Sequence, residues 1–154
     1  SLMKLKNIDR DANKNLIAQN ILTSTGYKIT HPRKILIDIL SEAGRPLRPV
    51  EICEIGQKYD LDRVSVYRVL EVLEKVGLIH SVGDLGYVFC SNINHFDHVN
   101  DQHLFLVCES CDSVEETQLP ERIKNHLISF ILQESRFKFN GAFQIFGSCS
   151  KCST

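Results

Sequence analysis

The sequence predicts an α+β protein, with an N-terminal winged helix-turn-helix domain followed by a small α/β domain that a four-cysteine zinc site staples together. Three observations predict it. The first half contains four segments with helical apolar spacing and then a hairpin signal. The second half alternates extended segments with one helical segment. Two CxxC motifs, at Cys108–Cys111 and Cys149–Cys152, stand near its two ends. We expect domains at 1–90 and 103–154, with a linker at 91–102.

The composition is typical of a soluble globular protein. Of 154 residues, 43% are hydrophobic and 24% are charged. No run is long and apolar enough to span a bilayer, and no signal peptide is evident, so a cytoplasmic protein with no membrane partner is expected. Residues 1–90 carry 13 Lys and Arg against 11 Asp and Glu, whereas residues 91–154 carry 5 against 8. This mild asymmetry permits nucleic-acid contact by the first half without proving it.

The first three helices follow from apolar spacing and from their ends. The first is predicted over residues 11–26 and ends at Gly26. Thr30 is placed to cap the second, with Pro32 in its first turn, and the third runs from Pro49 to Tyr59. The residues expected on the inward faces are Leu16, Ile17, Ile21, Leu22, Ile35, Leu36, Ile39, Leu40, Val50, Ile52, Cys53 and Ile55.

A fourth helix and a hairpin complete the first domain. Asp62 is the predicted N-cap and Gly77 the stop signal of a helix over 62–76. Its inward residues are expected to be Val66, Val69, Leu70 and Leu73. Extended segments at 78–82 and 87–90 flank a glycine-containing turn, which is a hairpin signal.

This order of elements is that of a winged helix, in which the second helix of the turn enters the major groove of DNA. Arg63, Tyr67 and Arg68 are expected on the solvent face. Arg68 is the candidate for reading guanine, and Tyr67 for touching the backbone. Arg63 and Arg33 are candidate phosphate contacts, with ordinary surface charge as the alternative. A helical domain without DNA function is the competing interpretation, and the stretch Ser65-Val66-Tyr67-Arg68 favours DNA.

The second domain is predicted to contain strands over 103–117, a helix from about Pro120 to Gln133, and a final hairpin. The hairpin pairs Phe137–Phe139 with Ala142–Phe146 through a turn at Asn140-Gly141. The helix residues expected to be buried are Ile123, Leu127, Ile128, Phe130 and Ile131. So small a unit has little core of its own, so zinc binding and dimerisation are expected to stabilise it.

Six cysteines are present, and in a cytosolic chain paired CxxC motifs indicate metal binding rather than disulfides. Cys108, Cys111, Cys149 and Cys152 are therefore predicted to hold a structural zinc ion. The rival interpretation is thiol redox chemistry, which favours a first cysteine at a helix N-terminus, and neither pair begins a clear helix. Cys53 is interpreted as a core residue.

Several motifs together resemble the ferric-uptake-regulator (Fur) family of bacterial metal-sensing repressors. They are VSVYRVL, GLIH, YVFC, H-x4-C-x2-C and G-x-C-x2-C, and the resemblance extends from about residue 12 to Cys152. Within the family, the zinc-uptake regulators (Zur) are most similar. The resemblance implies a homodimer that binds double-stranded DNA at palindromic operators and represses metal-uptake genes, without enzymatic activity or a small-molecule substrate. In this comparison Ser65 takes a DNA-binding position where the family more often has Thr, and it would serve equally as a hydroxyl donor to DNA.

The resemblance also implies a second, regulatory zinc site made of His80, Cys90, His103 and Glu116. Iron sensors usually place a carboxylate where Cys90 stands, and a thiolate favours zinc over iron(II) or manganese. Glu115 is the alternative to Glu116, since adjacent strand residues point to opposite faces. An ion bridging the two domains would fix the relative orientation of the winged helices.

Some alternatives stay open at this point. His95 or His98 could replace His103 as a ligand, and His126 could belong to a third metal site, although a single helical histidine is more often structural. An iron- or manganese-responsive regulator is the alternative within the same class. A zinc-stapled thiol redox or interaction protein is the alternative from a different class.

Overall fold

A computed structural model describes residues 2–90, 103–137 and 143–153, with side chains from residue 13 onward except at His103. The chain divides into two compact units, Ser1–Val99 and Asn100–Thr154. Residues 91–102, the predicted linker, lie outside the described part of the chain.

The first unit is a set of four helices followed by a two-stranded antiparallel hairpin. The helices are α1 (Leu2–Ser24), α2 (His31–Ala43), α3 (Pro49–Gln57) and α4 (Arg63–Lys75), and the strands are β1 (Ile79–Val82) and β2 (Gly86–Phe89). All six elements lie where the sequence predicts them, although α1 begins earlier than the predicted residue 11.

A single apolar core holds these helices together. Its fully buried side chains include Leu22, Leu36, Ile37, Ile52, Val66, Leu70, Leu73, Leu78 and Ile79. The expectation that Leu16 and Val50 face inward is wrong, because both are exposed. Each lies two residues from a core position, Ala18 and Ile52 respectively. Two residues on an α-helix correspond to about 200° of rotation, which turns the side chain toward the opposite face.

The hairpin is tied to the helices by a short backbone bridge. The Leu47 amide donates to the Tyr87 carbonyl at 2.9 Å, and the Tyr87 amide donates to the Leu47 carbonyl at 2.8 Å. The adjacent Gly86 has a φ of +108°, and a Cβ on it would lie 2.2 Å from the Leu47 carbonyl oxygen. Only glycine fits this close approach, so Gly86 fixes how the wing joins the domain.

The second unit contains a three-stranded sheet and one helix. Its elements are β3 (His103–Cys108), β4 (Val114–Gln118), α5 (Glu121–Ser135) and β5 (Phe143–Gly147). The strand order is β4-β3-β5, with β3 antiparallel to β4 and parallel to β5. The predicted final hairpin is therefore wrong for β5, which pairs with β3. Phe137 belongs to no strand, and residues 138–142 lie outside the described part of the chain.

Parallel pairing of β5 has a simple physical reason. Once β4 covers one edge of β3, the other edge still exposes backbone donors and acceptors. A helix between two strands allows the crossover that a parallel pair needs, and α5 lies between β4 and β5. The Asn-Gly signal at 140–141 describes only a local turn preference and does not specify which strand β5 joins.

The core of the second unit is thin. Leu104, Phe105, Val107 and Cys108 of the central strand are buried, whereas α5 buries none of its residues completely. The expectation of a fully buried α5 face is wrong: Leu127, Ile128 and Ile131 are half-buried, and Ile123 and Phe130 are exposed. The apolar stripe of α5 is present, but the described part of the chain leaves much of it uncovered.

Candidate metal centre and nucleic-acid interface

The parallel pairing of β3 and β5 brings the two CxxC motifs to the same edge of the sheet. Cys108 is the register partner of Gly147, so both strands end side by side. The Glu109 amide then donates to the Gly147 carbonyl at 2.9 Å. Because each motif follows directly from its strand end, the turn after β3 and the turn after β5 are neighbours.

Backbone hydrogen bonds shape both turns. In the first, the Cys108 amide donates to the Ser113 carbonyl, and the Asp112 amide donates to the Cys108 carbonyl, each at 2.9 Å. Asp112 adopts a left-handed φ of +58°, which closes this turn tightly. In the second, the Cys152 amide donates to the Cys149 carbonyl at 3.0 Å. Each turn therefore aims its two sulfurs toward the other.

The four sulfurs form a cluster with the dimensions of a tetrahedral metal site. The Sγ atoms of Cys108, Cys111, Cys149 and Cys152 all lie within 4.8 Å of one another. The Cys111 and Cys149 sulfurs are 3.8 Å apart. Four sulfurs around zinc at about 2.3 Å define tetrahedron edges of about 3.8 Å. The donor set and its spacing thus fit zinc, and it is the one such group among the described residues.

Hydrogen bonds polarise the thiols of this cluster in opposite directions. The Cys149 amide donates to the Cys108 sulfur at 3.3 Å, and this contact, with further amides of the turn, lowers the pKa of Cys108 to about 6. The hydrogen bond from Cys152 also lowers the pKa of Cys149. Hydrogen bonds between the Cys152 thiol and the neighbouring sulfurs, that of Cys149 first, raise the pKa of Cys152 to about 12. The Cys108 thiol therefore ionises readily by itself, whereas the Cys152 thiol must lose its proton when a cation binds.

His80 and Cys90, two of the residues implied as regulatory ligands, lie on the hairpin of the first unit. His80 pairs with Val88, and the Cys90 amide donates to the Leu78 carbonyl at 2.9 Å, which continues the same register. Directly opposed and alternate residues of an antiparallel pair share a face. Half-buried His80 and fully buried Cys90 are accordingly diagonal neighbours on one face.

The other two implied ligands belong to the second unit. His103 is the register partner of Gln118, and Phe105 is that of Glu116. Strand positions 103 and 116 therefore belong to one face of the β3–β4 pair, whereas Glu115, the partner of Leu106, belongs to the other. The alternatives His95 and His98 lie outside the described residues, and His126 is an exposed residue of α5.

The start of α4 carries the predicted DNA contacts, and its cap is formed as predicted. The Asp62 carboxylate accepts the Ser65 amide at 2.8 Å and the Ser65 hydroxyl at 3.0 Å. These bonds hold the pKa of Asp62 below its usual value. The Ser65 hydroxyl, a predicted donor to DNA, donates to the cap in this structure. The pairing of Asp62 with Ser65 is readable from sequence as an N-cap and its N3 partner.

Arg63, Tyr67 and Arg68 are exposed on one side of α4, as predicted. The Arg63 guanidinium carbon lies 5.6 Å from the centre of the Tyr67 ring, and the hydrogen bond to Tyr67 raises the pKa of Arg63. A shallow depression of about 540 Å³ adjoins these groups, lined by Arg63, Val64, Tyr67, Arg68, Leu70, Glu71, Glu74 and Tyr87. Exposed Val64 was not singled out from the sequence, although it lies one helical turn before Tyr67 and Arg68.

Arg33, the remaining predicted DNA contact, folds back on the connection between α1 and α2. Its Nη1 donates to the Lys28 carbonyl at 2.6 Å, and its guanidinium carbon lies 5.3 Å from the Tyr27 ring centre. The side chain is half-buried by these contacts. Its role at a phosphate stays a prediction.

The first unit has the helices and hairpin of a winged helix, and the second unit has a four-cysteine cluster that could hold a metal ion. The sequence profile described as "Ferric uptake regulator family" matches residues 24–142. The chain belongs to this family, and the predicted resemblance and fold class are confirmed. Members of the family are transcription regulators rather than enzymes. No helix in the described part of the chain has the length and apolar character needed to cross a membrane.

Two curated relatives are named for iron. The Ferric uptake regulation protein of Haemophilus ducreyi is 27% identical over 108 residues, which cover 66% of this chain and 68% of the relative. Ferric uptake regulation protein 1 of Mycolicibacterium fortuitum is 28% identical over 101 residues, covering 62% of this chain and 58% of the relative. The chain thus spans well under the full length of the curated relatives that it matches.

Solved structures of zinc regulators share the fold. A zinc uptake regulator in complex with zinc and DNA aligns with a TM-score of 0.77 at 16% identity, covering 92% of this chain and 93% of that one. Holo XcZur aligns with a TM-score of 0.72 at 21% identity, covering 90% and 98%. The ferric uptake regulator of Helicobacter pylori gives 0.53 at 22% identity, covering 86% and 87%. At these identities the likeness establishes the fold alone.

Proposed function

We propose that this protein is a zinc-responsive transcriptional repressor that acts in the cytoplasm as a homodimer on palindromic operators of metal-uptake genes. One observation carries the DNA-binding part: a member of a family of transcription regulators exposes arginine and tyrosine side chains at the capped start of α4. We also propose the domain division at 1–90 and 103–154 with a linker at 91–102.

The start of α4 is suited to enter the major groove. Asp62 caps the helix and keeps its first turn formed, so the exposed side chains project from a fixed backbone. Arg68 offers a guanidinium that matches the two acceptors of guanine, and Tyr67 offers a hydroxyl to the sugar-phosphate backbone of DNA. Arg63, which stacks on Tyr67, adds positive charge near the phosphates. Ser65 would reach DNA only if its hydroxyl left Asp62. Arg33 would reach DNA from the first turn of α2.

The four thiolates of Cys108, Cys111, Cys149 and Cys152 are proposed to hold structural zinc. The fit rests on an all-sulfur donor set and on the 3.8 Å spacing of the Cys111 and Cys149 sulfurs. When bound, zinc would supply folding energy by tying the turn after β3 to the turn after β5. The thin core of this unit makes such a contribution necessary.

We assign regulatory zinc binding to His80, Cys90, His103 and Glu116. The strand registers support the choice of residues, because His80 shares a face with Cys90, and position 103 shares a face with position 116 rather than 115. One thiolate, two imidazoles and one carboxylate suit zinc. Because the ligands come from both units, ion binding would restrict the orientations of the DNA-binding units and favour those that match the operator.

Exposed apolar residues of the second unit support the homodimer. Phe130 of α5 is 62% exposed, and Ile123, Leu132, Ile145 and Phe146 are exposed as well. A monomer would leave these side chains in water. Burying them against a second copy would stabilise the dimer. A dimer would also carry two winged-helix units, which matches the two-fold symmetry of a palindromic site.

An iron- or manganese-responsive regulator is the second candidate, and the names of the two curated relatives favour iron. Buried Cys90 separates the candidates, since a thiolate ligand ranks zinc above iron(II). Competition of iron(II), manganese(II) and zinc(II) for the Cys90 site, followed by operator binding, discriminates between them. A higher affinity for iron(II) at this site would make the protein an iron sensor.

The first experiment is to count zinc per chain and to measure DNA binding in wild type and Cys90→Ser. Wild type is expected to hold about two zinc ions per chain and Cys90→Ser about one, since the thiolate site remains. Cys90→Ser should keep its thermal stability and lose the zinc dependence of binding to a duplex selected from a random library. Unchanged zinc dependence in this variant, or its unfolding, would refute the regulatory assignment and leave Cys90 with only its place in the core of the first unit.

Removal of one thiolate tests the structural site separately. Cys111→Ser should lose the tightly held zinc and unfold at a lower temperature, because the remaining sulfurs no longer complete a tetrahedron. Cys53→Ser is the control: Cys53 lies outside the cluster, packed against the first unit's core. It should keep its zinc, measured by metal analysis after gel filtration. Full zinc retention by Cys111→Ser would disprove four-thiolate ligation.

A further inference from the structure

The start of α4 exposes one apolar side chain that core packing does not explain. Val64 is 59% exposed, whereas Val66, two residues further on, is completely buried. Val64 stands three residues before Tyr67 and four before Arg68, so the three side chains are neighbours on the helix surface. All three line the same depression. Val64 therefore belongs to the face that would meet DNA.

The chemistry of the major groove limits what a valine can recognise there. Valine has no donor or acceptor for a phosphate or for the polar edge of a base. Thymine alone presents an apolar group in the major groove, its C5 methyl, and apolar side chains contact it directly. Valine is also suited to the task because its β-branched side chain has few rotamers to lose on binding.

We propose that Val64 is a specificity-determining residue that packs against a thymine C5 methyl in each half-site. This inference rests on the proposed function, since it requires α4 to enter the major groove. Arg68 lies four positions after Val64 on the helix, a rise of about 6 Å, and base pairs are spaced about 3.4 Å apart. The thymine is accordingly expected within about two base pairs of the guanine that Arg68 contacts.

The test uses the zinc-loaded full chain and a duplex that wild type selects from a random-sequence library. Each thymine of that duplex is replaced in turn by deoxyuridine, which removes only the methyl group. Fluorescence anisotropy then gives the affinity of wild type, Val64→Ala and Val50→Ala for every duplex. Val50 is a matched control, because it is also the second residue of its helix, α3, and is 57% exposed.

For wild type, replacing the contacted thymine by deoxyuridine in one half-site should weaken binding about fourfold. Replacing the equivalent thymine in both half-sites should weaken binding about 15-fold, because each replacement removes one buried methyl group. Val64→Ala should bind the thymine duplex more weakly and lose its sensitivity at that position alone. Val50→Ala should respond to deoxyuridine as wild type does. The comparison within wild type needs no mutation, so it stands even if a variant is unstable.

Two kinds of result would overturn the inference. The first leaves the proposed function intact, and the second refutes it as well. If wild type selects a sequence but no thymine methyl matters, or if Val64→Ala keeps the wild-type sensitivity at every thymine, Val64 reads no methyl and the proposed function stands. If the zinc-loaded protein enriches no sequence at all, the proposed function fails and the inference fails with it.

Discussion

Single thiols determine how the metal centre responds to acid. In the metal-free cluster, Cys108 has a pKa of about 6, lowered mainly by the Cys149 amide, and Cys152 has a pKa of about 12, raised mainly by Cys149. Protons and zinc compete for the same sulfurs, so the apparent zinc affinity must fall as pH falls. Above the pKa of Cys108 this thiol is already ionised, and Cys152 still has to release its proton.

We therefore expect the logarithm of the zinc association constant at the thiolate site to rise by at least about one for each pH unit between pH 7 and 9. The slope should steepen below about 6, where Cys108 also binds a proton. A competition titration with a chromophoric chelator at each pH measures it. A pH-independent affinity would contradict sulfur ligation, because it would mean that no ligand loses a proton on binding.

Arg68 is the residue that we propose to contribute most to sequence-specific DNA binding. Arg68→Ala should weaken binding to the selected duplex by about 1–3 kcal/mol and relax the preference for guanine at one position. Lys75→Ala is the matched control, since Lys75 is an exposed cation at the opposite end of α4. It should change affinity little. Equal losses in both variants, without a change in base preference, would reduce Arg68 to general electrostatic attraction.

Among the elements, the wing depends on one glycine. Gly86→Ala should lower the free energy of unfolding by at least about 2 kcal/mol, because the added Cβ would collide with the Leu47 carbonyl at a φ that alanine avoids. Gly26→Ala separates the two causes: Gly26 also has a positive φ, +88°, but no atom lies within 4 Å of its added Cβ. Chemical denaturation of both variants should show the larger loss for Gly86→Ala.

The elements also show which features local sequence signals can predict and which they cannot. The helix N-cap at Asp62 and the wing hairpin form as the sequence predicts, because both depend on neighbours within a few residues. The pairing of β5 with β3 joins residues about forty positions apart, and no local signal specifies it. That pairing is nevertheless what brings Cys149 beside Cys108. The clustering of the four cysteines was predictable from the sequence, but the parallel strand pairing that brings them together was not.

At the scale of the whole molecule, the second unit is incomplete as a monomer. Phe130→Glu should weaken dimerisation at least about tenfold, because the association loses the burial of a large aromatic side chain and gains a charge. Leu16→Glu is the control, since Leu16 is comparably exposed but belongs to α1 of the first unit. Sedimentation velocity over a concentration series should show more monomer for Phe130→Glu only. An unchanged dimer would place the interface elsewhere.

The sequence by itself determined the order of the elements, the Fur family, the four clustered cysteines and the exposed arginines and tyrosine of α4. These follow from residue types, short spacings and helical periodicity, which are properties of neighbouring positions. Only the tertiary structure decided that Leu16, Val50 and Phe130 are exposed and that β5 joins β3. It also left Val64 exposed. The physical reason is that burial and strand pairing depend on which distant surfaces are available, and periodicity gives a face without giving its partner.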